Sequence, residues 1–295
     1  MKQLVSILIV CIVSLLSARV AVHAAEAQHT YEFGACEQQL MWRDGGKLSA
    51  QLEHLDAMKK AGAGWVRLSL MIDEKTDWDN LVFVQYRIGL DKVGRLTRIL
   101  HDLNKQFFKG EPEIITAGLV AYDTINKAWL KKVNGCIIDQ ELTLQLLHGS
   151  YPKQKGATNW LQYVDGIGMH IYPATVDLNP KTALAEIKAD LDPCRTVPGV
   201  GSDPSTGSGQ GKPFWITECG YASDKCGNDE NRRYKQLTVF YNALDAYERK
   251  DSSIKAVMHF CWSKEAMARH ALWDHGKFYK AADIFKVQAG EPRRE

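Results

Sequence analysis

Seven short apolar runs alternate along the chain with stretches of helical spacing, and that alternation limits the fold more than any other feature. The clearest unit comes first. Tyr31 to Ala35 reads as a strand. Lys47 to Lys60 then places Leu48, Leu52, Leu55 and Met58 on a helical spacing, and Gly62 and Gly64 end it. Trp65-Val-Arg-Leu-Ser-Leu70 follows as a strand. Strand, helix and strand in that order argue for a parallel α/β sheet. Further apolar runs fall at 81–85, 114–120, 164–171, 214–218 and 256–262. Helical spacing covers 91–105, a stretch from Ala128, 180–191, 231–249 and 279–287.

The chain has 295 residues, 45% of them hydrophobic, enough for one large core. A single (β/α)8 TIM barrel, of roughly 250 residues, is the natural size match, and the domain is expected over 28–290. Such a barrel needs eight strands, and seven are seen. The second and third runs are only about ten residues apart, whereas a parallel crossover takes roughly a dozen or more. Either one βα unit between residues 70 and 90 is degenerate or missing, or one of the seven runs is not a strand. The Gly-, Ser- and Pro-rich stretch from Thr196 to Lys212 is expected as an exposed loop of the barrel, not a linker between domains.

Net charge is +2, from 37 basic and 35 acidic residues, so no basic field argues for nucleic acid. Lys2, the apolar run from Leu4 to Leu16 and the small residues near Ala24 and Ala27 describe a secretory signal peptide over 1–24. The run is short for a bilayer span, which takes about 20 apolar residues. A secreted, extracellular protein is expected, with no membrane attachment after cleavage and a monomeric state. With Cys11 in the signal, six cysteines remain, an even number for an oxidising compartment. Cys219 with Cys226 is the first pairing expected and Cys136 with Cys194 the second, while Cys261 reads as a buried thiol. No C-x-x-C or H-x3-H spacing suggests a metal, and no cofactor is expected.

In a parallel barrel the active site lies at the C-terminal ends of the strands. Polar or aromatic residues that close apolar runs are the ones to collect: Arg67, His170 with Tyr172, Glu218 and Trp262. A carboxylate placed there can attack an anomeric carbon. A nearby Arg or His can hold it ionised, and an indole offers a face for a sugar ring. Each also has an ordinary explanation: a salt bridge for Arg67, a satisfied core residue for His170, packing for Trp262, a loop carboxylate for Glu218. Their joint placement on four strands is what favours chemistry.

The motifs resemble those of clan A retaining glycoside hydrolases, as in families 5 and 39. Lys212-Pro-Phe-Trp-Ile-Thr-Glu-Cys-Gly-Tyr221 is similar to the seventh strand of that clan, and Asp165-Gly-Ile-Gly-Met-His-Ile-Tyr-Pro173 to the sixth. Ala256 to Trp262 is similar to the eighth, Trp65-Val-Arg67 to the second, and Asp274 to Lys280 to the segment before the closing helix. The resemblance implies Glu218 as nucleophile and Arg67, His170, Tyr172 and Trp262 as supporting or substrate-binding residues. It implies a carbohydrate substrate, a polysaccharide or glycoconjugate.

The chain departs from that pattern at the fourth strand. An Asn-Glu pair, whose Glu is the acid/base, is expected there, and Gln85, Tyr86 and Arg87 stand in its place. An acid contributes roughly 10²–10⁴-fold in rate. Among Asp73, Glu74, Asp77 and Asp79, Glu74 is the candidate substitute by reach; the plainer explanation is a solvated acidic loop, and Asp123 is a further candidate. Because the missing unit and the missing acid coincide, a loss of sequence there, by deletion, splicing or error in the gene prediction, explains both. Two readings follow: a retaining glycosidase, or a catalytically impaired glycan-binding relative on the same barrel. A metal-dependent barrel hydrolase is the third, and the sequence offers it no ligand set.

Overall fold

A computed structural model describes residues 32–37, 48–63, 65–68, 90–110, 113–116, 118–120, 140–151, 157–201, 211–251, 253–264 and 268–288. The elements in chain order are β1 (Glu32–Glu37), α1 (Leu48–Lys60), β2 (Trp65–Leu68), α2 (Leu90–Phe108), β3 (Leu119–Val120), α3 (Gln140–His148) and β4 (Ile167–Ile171). They continue with α4 (Pro180–Leu191), β5 (Phe214–Cys219), α5 (Glu230–Asp251), β6 (Ile254–Phe260), β7 (Trp273–Asp274), β8 (Lys277–Phe278) and α6 (Asp283–Gln288). Strands and helices alternate from β1 to β6, and the class is α/β. The chain divides into two compact units, one of Met1–Leu70, Ile171–Lys188 and Ile216–Glu295, the other of Met71–His170 and Ala189–Trp215.

In the first unit the strands run in the order β2-β1-β6-β5. β1 is parallel to β2, with Cys36 opposite Arg67, and parallel to β6, with Ala35 opposite His259. The first strand thus pairs with the last long strand. β5 and almost all of β6 are buried, the mark of a strand covered on both faces. One cover is α5, which buries Leu237, Phe240, Tyr241, Leu244 and Tyr247 on one stripe. Phe33 of β1 meets Tyr241 edge-on at 5.3 Å and Phe285 of α6 at 4.7 Å.

Helix starts follow from local chemistry. Asn179 Oδ1 accepts from the main-chain N–H groups of Lys181 and Thr182, each at 3.0 Å, and Pro180 occupies the first helical position. This cap and this proline fix the start of α4, and the helix spans the 180–191 expected from sequence. Asp229 caps α5 in the same way, accepting from Asn231 and Arg232.

The second unit pairs β3 with β4 in parallel, Val120 opposite His170. Asp165 and Thr116 tie the preceding segments: Ile114 N–H donates to Asp165 Oδ2 at 2.8 Å and Gly168 N–H to Thr116 Oγ1 at 2.9 Å. The Lys212 ammonium donates to the Val164 carbonyl. Gly94 lies in α2 where a Cβ would stand 2.2 Å from the Trp160 ring, so only glycine admits that indole.

Several expectations need correction. Of the expected face of α1, Met58 is packed, with His54 and Ala57 beside it, whereas Leu52 is 54% and Leu55 37% exposed. His54 lies edge-on to Trp273 at 4.6 Å, so a ring contact and small residues set the face. The expected strand 114–120 is broken into a bridge at Ile115 and the two-residue β3. β6 runs 254–260 rather than 256–262, and Trp262 lies beyond it. The final segment forms the β7–β8 hairpin, turning at His275 (φ 43°) and Gly276 (φ 83°), before a 3-10 turn and α6. Among the described residues no barrel closure is traced. The expected strand 81–85, the helical stretch from Ala128 and the signal segment lie outside them. Among them, too, no helix is long and apolar enough to cross a membrane.

Candidate functional site

β5 ends in Thr217-Glu218-Cys219, with all six residues of the strand buried. Alternation of side chains along a strand sends Glu218 and Cys219 to opposite faces. Cys219 Sγ lies against α5, 3.5 Å from the Tyr241 hydroxyl, and 3.6 Å from the Met258 carbonyl. Burial pushes its thiol up to about 12. Glu218 is only 7% exposed on the other side. Its Oε2 accepts a hydrogen bond of 2.8 Å from the hydroxyl of Tyr172, the residue that follows β4.

Tyr172 is held well above the ordinary tyrosine range, first by burial, then by the negative charge of Glu218 and the hydrogen bond to it. The phenol therefore stays a donor. Its ring is edge-on to Phe260 at 6.1 Å and to His270 at 5.6 Å, and those two rings lie 5.6 Å apart. Cys36, Phe260 and Cys261 form the apolar floor on which Tyr172 packs.

The segment after Tyr172 is strapped down. Glu186 accepts from the main-chain N–H groups of Ala174 and Thr175, Lys225 donates to the Pro173 carbonyl, and Tyr221 donates to the Thr175 carbonyl at 2.9 Å. Burial lowers Lys225 and raises Tyr221 to about 12. The chain is thus fixed on both sides of the Tyr172–Glu218 pair.

Gly220 follows at once. A Cβ there would stand 2.6 Å from the Phe260 carbonyl oxygen and 3.6 Å from His270 Nδ1. The Glu-Cys-Gly sequence therefore carries a steric demand as well as a carboxylate. Behind it, Arg233 of α5 is 1% exposed. Its guanidinium donates to the carbonyls of Tyr221 (2.8 Å), Ala271 (2.7 Å) and His270, and pairs with Glu230 at 3.2 Å. His259 of β6 is wholly buried, with Nδ1 2.7 Å from the Tyr241 hydroxyl.

Of the residues expected at the site, Glu218 and Tyr172 are brought together. Arg67 lies in β2, opposite Cys36 in the register. His170 lies in β4 of the second unit, 8% exposed, where a Cβ at Gly118 would stand 1.8 Å from its Nε2. Trp262 is fully buried and meets Phe278 and Phe285 edge-on at 5.9 and 5.8 Å; its ring packs among aromatics rather than facing solvent. Glu74, Asp73, Asp77, Asp79, Gln85, Tyr86, Arg87 and Asp123 lie outside the described residues. Among the described residues no three His, Cys, Asp or Glu side chains gather as a metal-binding group.

The expected Cys219–Cys226 disulfide is not formed. Both are buried thiols, as are Cys36, Cys194 and Cys261. Cys219 turns toward Tyr241 and Cys226 sits in the 3-10 turn Asp224–Cys226, so seven residues of separation do not bring the side chains together. Cys194 donates to the Asp190 carbonyl at 3.4 Å, and its expected partner Cys136 lies outside the described residues. Sequence reasoning missed Arg233 and His270. Arg233 binds main-chain carbonyls, which no sequence pattern displays, and His270 ends no apolar run.

No protein-family model matches the chain, and no curated protein matches it. Solved structures with some likeness include a GH128 (subgroup I) endo-β-1,3-glucanase from Amycolatopsis mediterranei in complex with laminarihexaose. It is 12% identical, with a TM-score of 0.39, covering 92% of this chain and 87% of the other. An intracellular xylanase from Thermoanaerobacterium saccharolyticum is 14% identical, with a TM-score of 0.42, covering 85% of this chain and 94% of the other. The xylotriose complex of a variant of that xylanase gives 13% identity and the same TM-score of 0.42.

Proposed function

We propose that the chain is a secreted glycoside hydrolase on a (β/α) barrel, acting on a polysaccharide or glycoconjugate by a retaining mechanism with Glu218 as nucleophile. The observation that carries this reading is the hydrogen bond from Tyr172 to Glu218 Oε2 at 2.8 Å. It fixes a nearly buried carboxylate at the end of one strand with a phenol from the end of another. The parallel pairing of β1 with β6 supports a circuit of strands that returns to its start.

In this mechanism a Glu218 oxygen attacks the anomeric carbon as the bond to the leaving oxygen breaks, giving a glycosyl ester. Water then displaces the carboxylate and restores it. Tyr172 turns the carboxylate and remains protonated throughout. Protonating the leaving oxygen takes a second carboxyl about 5–5.5 Å from the first, and Glu74 is the proposed source.

The experiment is turnover of aryl glycosides with activated leaving groups, which depart without acid assistance. The wild type should release the aryl group. Glu218→Gln should abolish release, and Glu218→Gly with added azide should restore part of it as a glycosyl azide of inverted configuration. Release that survives Glu218→Gln removes Glu218 from the mechanism. The sequence Gln85-Tyr86-Arg87, where the acid is expected, favours a second reading, a glycan-binding relative with impaired catalysis. A relative that lacks only the acid still releases activated aryl groups but not unactivated ones, whereas a purely glycan-binding relative binds sugar without release from either.

A further inference from the structure

We propose that His270 is a positioning residue of this site, an aromatic strut that holds the Tyr172 phenol against Glu218. The inference rests on the reading of Glu218 as the working carboxylate. Three rings carry it. His270 lies 5.6 Å from Tyr172 at an interplanar angle of 68°, and 5.6 Å from Phe260 at 61°. Tyr172 meets Phe260 at 6.1 Å and 89°. Each ring presents an edge to its neighbour, the arrangement that aromatic quadrupoles favour. The triangle leaves the Tyr172 ring little freedom to swing away from Glu218.

A strut works only if its own footing is fixed, and that of His270 is. The carbonyls of His270 and Ala271 both accept from the Arg233 guanidinium, and the Arg269 carbonyl accepts from Ser223 N–H at 2.7 Å. Across the ring stands Gly220, where a Cβ would come within 3.6 Å of His270 Nδ1. The imidazole is therefore wedged between the backbone just past Glu218 and the edge of Tyr172. Its Nδ1 has no hydrogen-bond partner among the described residues, so ring shape rather than protein hydrogen bonding accounts for its place. Burial and the charges of Arg233 and Arg269 push it down to about 3. The ring is neutral at working pH and does not draw Glu218 away from the phenol.

The test uses the full chain with three substitutions, His270→Phe, His270→Ala and His270→Leu. Two readouts are taken: kcat and KM on an activated aryl glycoside, and the ring-carbon NMR resonance of Tyr172 in tyrosine-labelled protein, assigned by its loss in Tyr172→Phe. His270→Phe keeps an aromatic edge and should stay within about threefold of wild type, with the Tyr172 resonance unmoved. His270→Ala should lose about tenfold or more in kcat at nearly constant KM, with the resonance displaced. Where His270→Ala does not fold, His270→Leu fills the volume without the edge and should behave as Ala is expected to. An unmoved resonance in the variants lacking an aromatic edge, or a His270→Phe protein as impaired as they are, overturns the strut. A wild type that releases no aryl group overturns the glycosidase reading instead, and the resonance then decides the strut alone.

Discussion

The Tyr172 hydroxyl donates to Glu218 Oε2 over 2.8 Å, joining the residue after β4 to the penultimate residue of β5. Hydrogen bonds to a charged partner contribute about 1.5–3 kcal/mol, and removing one partner leaves the other desolvated. Tyr172→Phe should therefore lower stability by about that amount while keeping the fold. If Glu218 is the nucleophile, kcat should fall about 10–100-fold, more than KM changes, because the carboxylate loses its orientation. Urea unfolding and steady-state kinetics check the two parts separately.

Gly220→Ala tests the close approach beside the carboxylate. The added methyl would stand 2.6 Å from the Phe260 carbonyl oxygen, and a main-chain atom cannot swing aside as a side chain can. Overpacking of this kind costs about 1–3 kcal/mol. For a chain of this size that is a fall in Tm of about 2–4 °C per kcal/mol. A differential scan of the variant checks it, and a Tm equal to wild type would show that the strands part at no cost.

How far the sequence disclosed these features depended on the physics involved. Local signals were legible: helical spacing over 180–191 marked α4, and the apolar run closed by Glu218 marked β5. Tertiary choices were not. Hydropathy ranks Leu52 and Leu55 above His54, yet the sheet side takes the His54 ring because Trp273 offers it an edge. Trp262 reads as the end of a strand, but the chain turns after Phe260 and the indole packs on Phe278 and Phe285. Tyr172 and Glu218 stand 46 residues apart, and only the fold brings oxygen to oxygen.

Arg233 should be among the least replaceable residues of the first unit. Its three nitrogens reach three different carbonyls, those of Tyr221, Ala271 and His270. Lysine is a point charge on a flexible stem and cannot spread over all three. Arg233→Lys should destabilise by about 3 kcal/mol or more, close to the loss for Arg233→Met, since each leaves buried carbonyls unpaired. Denaturant midpoints of the two variants check it; a lysine variant near wild type would mean that charge alone suffices.

The five described cysteines should titrate as thiols without any reductant. Cys36, Cys194, Cys219, Cys226 and Cys261 are all buried and none is in a disulfide. Reaction requires thiolate and access, and Cys219 is pushed up to about 12 by burial. Native protein should therefore react slowly with a disulfide reagent, and guanidinium-unfolded protein should expose at least these five. Peptide mapping that recovers Cys219 linked to Cys226 would contradict the arrangement.

Acid should weaken the fold through two buried histidines. His270 is pushed down to about 3, first by burial, then by Arg233 and Arg269. His259 is lowered well below the ordinary histidine range, first by burial, then by Arg233 and His270. A folded-state value below the unfolded one means that the unfolded chain binds the proton first. The stability these groups contribute is therefore complete above the unfolded value of about 6.5 and is lost as pH falls below it, for His270 down toward about 3. Over that window each contributes a slope of up to about 1.4 kcal/mol per pH unit. Urea unfolding between pH 7 and pH 4 should show wild type losing stability faster than His270→Phe, whose ring cannot bind a proton. The two curves should converge as pH falls, and parallel curves would show that His270 is not held neutral by the fold.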